Sequence, residues 1–245
     1  MNKKYLIILL CLLSSGAGFA GNDAVKSQLD LANKAYEQNN YGQAINIYES
    51  LLNQNGIHNE TVYYNLGNCY YRTNKIGKAV LNYEKAAKIN PSDDDVQYNL
   101  AYLKSIIKDS ENTDLISKVY NILTINILIV FTLIFNIIFF SLFGISIYFK
   151  ELNLRSYIIT AGIVFVLTAW WAYNRVQDHN KLYAIVVSTP CDVRSGPGTE
   201  QTAGLSLQEG KKVEILGQQE NWYAVGVKSE HYKGWLEADK VELVN

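Results

Sequence analysis

Two apolar runs near the middle of the chain, Ile122–Phe149 and Tyr157–Tyr173, are separated by only seven residues, Lys150-Glu151-Leu152-Asn153-Leu154-Arg155-Ser156. A hydrocarbon core is about 30 Å thick and a helix rises about 1.5 Å per residue, so each run is a candidate membrane span. The first is about 40 Å long if wholly helical, more than the core requires, so it tilts or starts in the interface. The second is nearer 25 Å and can borrow Leu152 and Leu154. So short a connector admits only a hairpin, and the segments before and after it must then face the same side of one membrane. The expected order is a juxtamembrane segment 113–121, span 122–149, turn 150–156 and span 157–175.

Neither run carries Asp, Glu, Lys, Arg or His at depth, which argues for an anchor rather than an ion or proton pathway. Asn126 and Asn136 either bond across to Thr160 or Thr168 or are simply tolerated polar side chains. Tyr120, and Trp170, Trp171 and Tyr173, suit the outer interfacial belt, and Lys150 and Arg155 place the turn in the cytoplasm. Lys118 and Arg175 at the outer ends weaken that charge asymmetry.

Residues 1–20 have the layout of a secretory signal. Lys3 and Lys4 precede the apolar Tyr5–Leu13, and Gly18-Phe19-Ala20 forms a small-x-small cleavage site. Cleavage would leave Gly21 as the N-terminus; a retained anchor is the alternative. With an exported N-terminus, both water-soluble parts lie outside the membrane that the hairpin enters. Cys69 and Cys191 fall in separate soluble parts and read as small apolar residues rather than a disulfide framework. The chain is 49% hydrophobic and 18% charged with a formal net charge of -1, and no basic patch points to nucleic acid.

The N-terminal soluble part contains a repeat. Aligning Ala32 with Gly67 gives a period of 35, and the second unit, 60–93, carries Tyr63, Leu66, Gly67, Tyr70, Ala79, Tyr83, Ala86 and Pro91. These are the signature positions of the tetratricopeptide repeat, which the segment resembles. Gly67 and Ala79 are small where two helices cross, aromatics fill around them, and Pro91 ends the second helix. The first unit, 25–59, is looser: Leu31, Ala32, Tyr41, Ala44 and Tyr48 fit, but Ala35 replaces an aromatic, with Tyr36 beside it. A capping helix over 94–108 completes about two and a half repeats within an all-α domain, 21–112. Asp93-Asp94-Asp95 suits a helix N-terminus. Stacks generally need about three repeats, so docking on a partner or on the rest of the chain is expected.

The resemblance implies a groove that binds a peptide or another protein's tail. The groove candidates are Lys26, Asn33, Thr61, Tyr64, Asn65, Asn68, Tyr71, Arg72, Gln97 and Asn99. The bland alternative is a solvated spacer.

From Lys181 the pattern changes to short β-branched alternations, with strands expected at Tyr183–Ser188, Lys212–Gly217, Trp222–Lys228 and Val241–Val244. Asp192-Val193-Arg194-Ser195-Gly196-Pro197-Gly198, Glu209-Gly210, Trp222-Tyr223-Ala224-Val225 and Gly234-Trp235-Leu236 together resemble the bacterial SH3-like domain, a small all-β barrel covering 182–245. That resemblance implies a peptide or cell-wall ligand, with Arg194, Tyr223 and Tyr232 as the exposed candidates. Trp222 and Trp235 serve either packing or binding.

No catalytic, cofactor or metal constellation emerges. His58, His179 and His231 are scattered without metal-ligand spacing, and no nucleophile or phosphate-loop motif is present. The whole order, a multidomain membrane protein with repeat domain, transmembrane hairpin and SH3-like barrel, resembles the BatE-type proteins of the Bacteroides aerotolerance operon. That resemblance implies an inner-membrane protein with both soluble domains facing the periplasm, a non-enzymatic scaffold for aerotolerance or stress working beside von Willebrand-type membrane proteins and a MoxR-type ATPase. An envelope sensor or anchor that binds peptidoglycan through the barrel is the alternative.

Overall fold

A computed structural model describes residues 24–55, 58–107, 125–151 and 153–244. The expected signal peptide and the juxtamembrane segment 113–121 lie outside the described residues. The chain divides into two compact units, Met1–Glu111 together with Leu182–Asn245, and Asn112–Lys181.

Five helices open the first unit: α1 (24–37), α2 (Tyr41–Asn55), α3 (Glu60–Arg72), α4 (Ile76–Ile89) and α5 (Asp94–Ile106). The repeat shows even in the turns, where Asn39 and Asn74, 35 positions apart, both take a left-handed φ of 58°. Asparagine tolerates that conformation because its short side chain bonds locally. Asn59 starts α3 by accepting from the Thr61 N–H at 2.8 Å, and Asp93 starts α5 by accepting from Val96 at 2.9 Å. At the α3–α4 crossing, a Cβ on Gly67 would stand 2.7 Å from the Tyr83 ring, so only glycine permits this approach. Ala32, Ala44, Tyr48, Leu51, Leu66, Tyr70, Ala79 and Tyr83 are buried around it. Leu31, the counterpart of Leu66, is instead 56% exposed, since among the described residues no further unit packs over α1.

The C-terminal part is a seven-stranded antiparallel sheet of β1 (Tyr183–Val186), β2 (Cys191–Arg194), β3 (Ala203–Leu207), β4 (Lys212–Gln219), β5 (Trp222–Val227), β6 (Tyr232–Glu237) and β7 (Val241–Leu243). Its order is β3-β2-β6-β5-β4-β1-β7. Three strands, β2, β3 and β6, lie outside the four expected from alternation. Asp192-Val193-Arg194 is strand because Val193 enters the sheet core, β6 holds the Gly234-Trp235-Leu236 motif, and β3 shows no strong alternation. Ala184, Val186, Cys191, Val193, Val213, Val225, Val227 and Leu236 form that core.

The sheet docks on the helices within this unit. Ala184 and Val186 point into the sheet core while Ile185 between them joins the helical core, as does Val244 after β7. Strand β1 is thus covered on both faces, which explains its unbroken apolar run. A Cβ on Gly77 of α4 would collide with the Val186 carbonyl oxygen, so the helix meets the strand backbone to backbone.

Polar groups complete the junction. Helix α4 has no side-chain cap of its own; Glu209, from the β3–β4 loop, accepts from the Gly77 N–H at 3.0 Å. Glu84 of α4 is buried between Lys104 of α5 and Lys212 of β4, each ammonium 2.8 Å from a carboxylate oxygen. Burial alone would push the Glu84 carboxyl up, but the two lysines outweigh it and hold it below the ordinary glutamate range.

The second unit contains α6 (Ile125–Tyr148) and α7 (Arg155–His179), both long and apolar enough to cross a membrane. Helix α6 is apolar all round, with Val130, Leu133, Ile137 and Phe140 exposed. The two helices pack through Phe139 and Phe165, whose rings stack at 6.4 Å, with Gly162 leaving room for Phe139. The Thr168 hydroxyl bonds to the Val164 and Phe165 carbonyls of its own helix at 2.9 and 3.0 Å, which accounts for its donor. Helix α7 continues to His179, beyond the expected end at 175.

Candidate functional site

The first helices of successive units, α1, α3 and α5, are joined by a ladder of asparagines. Tyr48 donates to Asn33 Oδ1 at 2.6 Å, and one unit later Tyr83 donates to Asn68 Oδ1 at 2.6 Å. The following unit adds a second donor to each: Asn65 to Asn33 at 3.3 Å, and Asn99 to Asn68 at 3.4 Å. Asn99 also reaches the Tyr64 hydroxyl at 3.3 Å. Burial pushes the Tyr48 phenol up to about 12 and raises Tyr83 as well, so both remain protonated donors at neutral pH.

Five candidates therefore fall in a hydrogen-bonded array of two clusters, Asn33 with Asn65, and Asn68 with Asn99 and Tyr64. Its carbonyl oxygens on Asn33 and Asn68 each receive two donors, which fixes the amides and spaces the helices. Tyr71 is exposed at the far end of α3, edge-on to Tyr102 at 6.3 Å, and Arg72 beside it bonds Tyr36 of the preceding unit. That hydrogen bond raises the Arg72 pKa. Lys26 and Thr61 are exposed in the first turns of α1 and α3. Gln97 is exposed on α5 and donates to the Pro91 carbonyl at 3.1 Å, holding the turn before the helix; no bond joins it to the array.

Sequence reasoning passed over Tyr36, Tyr98 and Tyr102, which extend an aromatic stripe along the same face; Tyr98 is 73% exposed. It also passed over Tyr48 and Tyr83 as partners of the asparagines. The signal was available, because Asn33/Asn68 and Tyr48/Tyr83 are both pairs 35 apart.

This geometry, paired antiparallel helices with a small-residue crossing and a polar first-helix face, repeats from one unit to the next. The helical part is a tetratricopeptide-repeat domain. The family model for the tetratricopeptide repeat matches residues 61–93, covering α3, α4 and the Pro91 turn. No match to the chain is found among curated proteins. Tetratricopeptide repeats serve protein–protein interaction, and protein partners in general follow for this chain.

The sheet candidates are not brought together. In the β5–β6 ladder Trp222 faces Glu237 and Ala224 faces Trp235, while Tyr223 pairs with Leu236 and Val227 with Tyr232. Arg194 is opposite Trp235. Arg194, Trp222 and Trp235 therefore share one face, and Tyr223 and Tyr232 lie on the other, against the sheet core. Tyr232 reaches across to Gly204 of β3. Arg194 itself donates to the Thr199 and Gln201 carbonyls at 3.0 and 2.8 Å, holding the loop after β2.

Cys69 and Cys191 are both buried and free, and burial pushes their thiols up to about 12 and about 11. Such thiols are inert at neutral pH.

Proposed function

We propose that the protein is a non-enzymatic scaffold anchored by α6 and α7 in the inner membrane, binding partner proteins on the periplasmic face through the first-helix face of its repeats. The carrying observation is that Ile185 and Val244, which follow the hairpin in sequence, sit in the same core as Leu66 and Leu103, which precede it. A chain that leaves one folded body and returns to it after two apolar helices is consistent with a membrane crossed twice. Both water-soluble parts then act together on one side.

The resemblance to BatE-type proteins extends this reading to an aerotolerance or stress complex with von Willebrand-type and MoxR-type partners. The test is affinity purification of the intact protein from membranes beside a Tyr71→Ala/Arg72→Ala variant. Both side chains are exposed, so the fold is preserved and the partners are lost. Identical partners from both proteins, or none from either, would sink the scaffold reading.

A second reading, peptidoglycan binding by an SH3-like sheet, is favoured by the half-buried Trp222 and Trp235 beside Arg194 on the face away from the sheet core. Aromatic rings at a polar surface suit a sugar–peptide ligand. Full-length protein incubated with cell-wall sacculi should be retained, and Trp235→Ala should release it; no retention rejects this reading.

A further inference from the structure

Strand β3 ends the sheet order and pairs only with β2, leaving its other side as an open edge among the described residues. The ladder fixes which backbone groups are free. Ser195 donates to the Thr202 carbonyl at 3.0 Å, so the pairs at 195/202, 193/205 and 191/207 are the bonded ones. Arg194 between them turns to Trp235 of β6, and its opposite number Ala203 turns outward. By the same alternation Ser206 presents its N–H and carbonyl to solvent, and its side chain is exposed. The strand, Ala203-Gly204-Leu205-Ser206-Leu207, carries neither charge nor proline; of the usual guards of an edge it has its shortness and a bulge at Gly204, which sets the outward groups of Ala203 and Ser206 three residues apart.

Beside this edge lies a cleft of about 580 Å³, its walls formed by Ile76, Ile106, Ile107, Pro190, Ser206 and Leu207. Ile106 is half exposed there. Its one carboxylate, Glu209, is committed to the Gly77 N–H. An occupant therefore meets unpaired backbone groups along β3 and an uncharged apolar recess at its end.

We propose that β3 accepts an uncharged, extended segment of a partner protein as an added strand, with an apolar side chain of that segment seated in the cleft. Main-chain bonds to Ala203 and Ser206 supply the attachment and the cleft supplies selectivity. This site is separate from the repeat face and stands whether or not that face binds.

The probe is a fluorescein-labelled, end-blocked heptapeptide of alternating threonine and valine, added to the full chain in detergent micelles. Saturable polarisation is expected. Ser206→Pro removes an outward N–H without touching the β2 ladder, and should raise the dissociation constant about tenfold or more at an unchanged melting temperature. Ile106→Ser, which strips the cleft wall, should do the same and serves if the proline variant misfolds. A backbone N-methylated peptide should not bind. Absence of saturable binding, or equal binding to both variants, overturns the proposal. So does a Ser206→Cys chain that forms disulfide-linked dimers in membranes, which would assign the edge to a second copy.

Discussion

Glu84→Gln should uncouple the sheet from the helices. The substitution keeps the shape of the side chain but removes the charge that holds Lys104 of α5 and Lys212 of β4, each 2.8 Å away. Breaking a buried ion pair by deleting one partner costs about 3–5 kcal/mol, because the remaining charge is left buried and unpaired. Here two ammonium groups are left facing each other, but the Lys104 and Lys212 side chains are 23% and 21% exposed and can partly rehydrate. The expected loss is therefore near the lower end, about 3 kcal/mol. The assay is urea unfolding of the full chain in detergent micelles, read by far-ultraviolet ellipticity for the helices and by tryptophan fluorescence. The wild-type signals should change together, and those of the variant should separate. Replacing all three residues by methionine should restore most of the stability, since an apolar triad needs no compensation. A loss below about 1 kcal/mol for Glu84→Gln, with the two signals still coincident, would mean that this triad does not hold the sheet to the helices.

Gly77→Ala tests the docking from the backbone side. In an undocked helix alanine would be favourable by up to about 1 kcal/mol, whereas against the Val186 carbonyl it should cost about 1–3 kcal/mol; the sign of the change in melting temperature decides. Stability should also fall in acid. The Glu84 carboxyl sits below its unfolded value, so its contribution is complete above the ordinary glutamate range and disappears as pH falls through the lower folded value. Glu84→Gln should flatten that part of a stability-against-pH curve, and an unchanged acid slope would assign the loss to other carboxylates.

The helical domain was legible because its signature residues do local work. Gly67, Ala79 and Pro91 act within one unit, and the spacing that reveals them is also the spacing that packs them. The hairpin was equally readable, since composition alone makes a segment compatible with lipid. What escaped depends on distant chain. Glu84 meets Lys212 and Glu209 meets Gly77 only because the sheet lands on α4, and no spacing encodes a contact across 128 or 132 residues. The strand Tyr183–Val186 did carry a hint: four near-consecutive apolar residues, where a one-sided strand would alternate. Splitting Arg194 from Tyr223 and Tyr232 required the β5–β6 register, because one residue of slip exchanges the two faces.

Cysteine accessibility decides whether the hairpin crosses a membrane with repeats and sheet on the same side. Cys69 and Cys191 are buried with raised thiol pKa values, so they stay silent; Cys11→Ser removes the remaining thiol. Single cysteines at Lys34, at Gln218 and at Asn153 are then exposed to a membrane-impermeant maleimide in intact inner-membrane spheroplasts. Labelling is expected at Lys34→Cys and Gln218→Cys from outside, and at Asn153→Cys only after lysis. Opposite labelling of Lys34→Cys and Gln218→Cys, or outside labelling of Asn153→Cys, would contradict that topology.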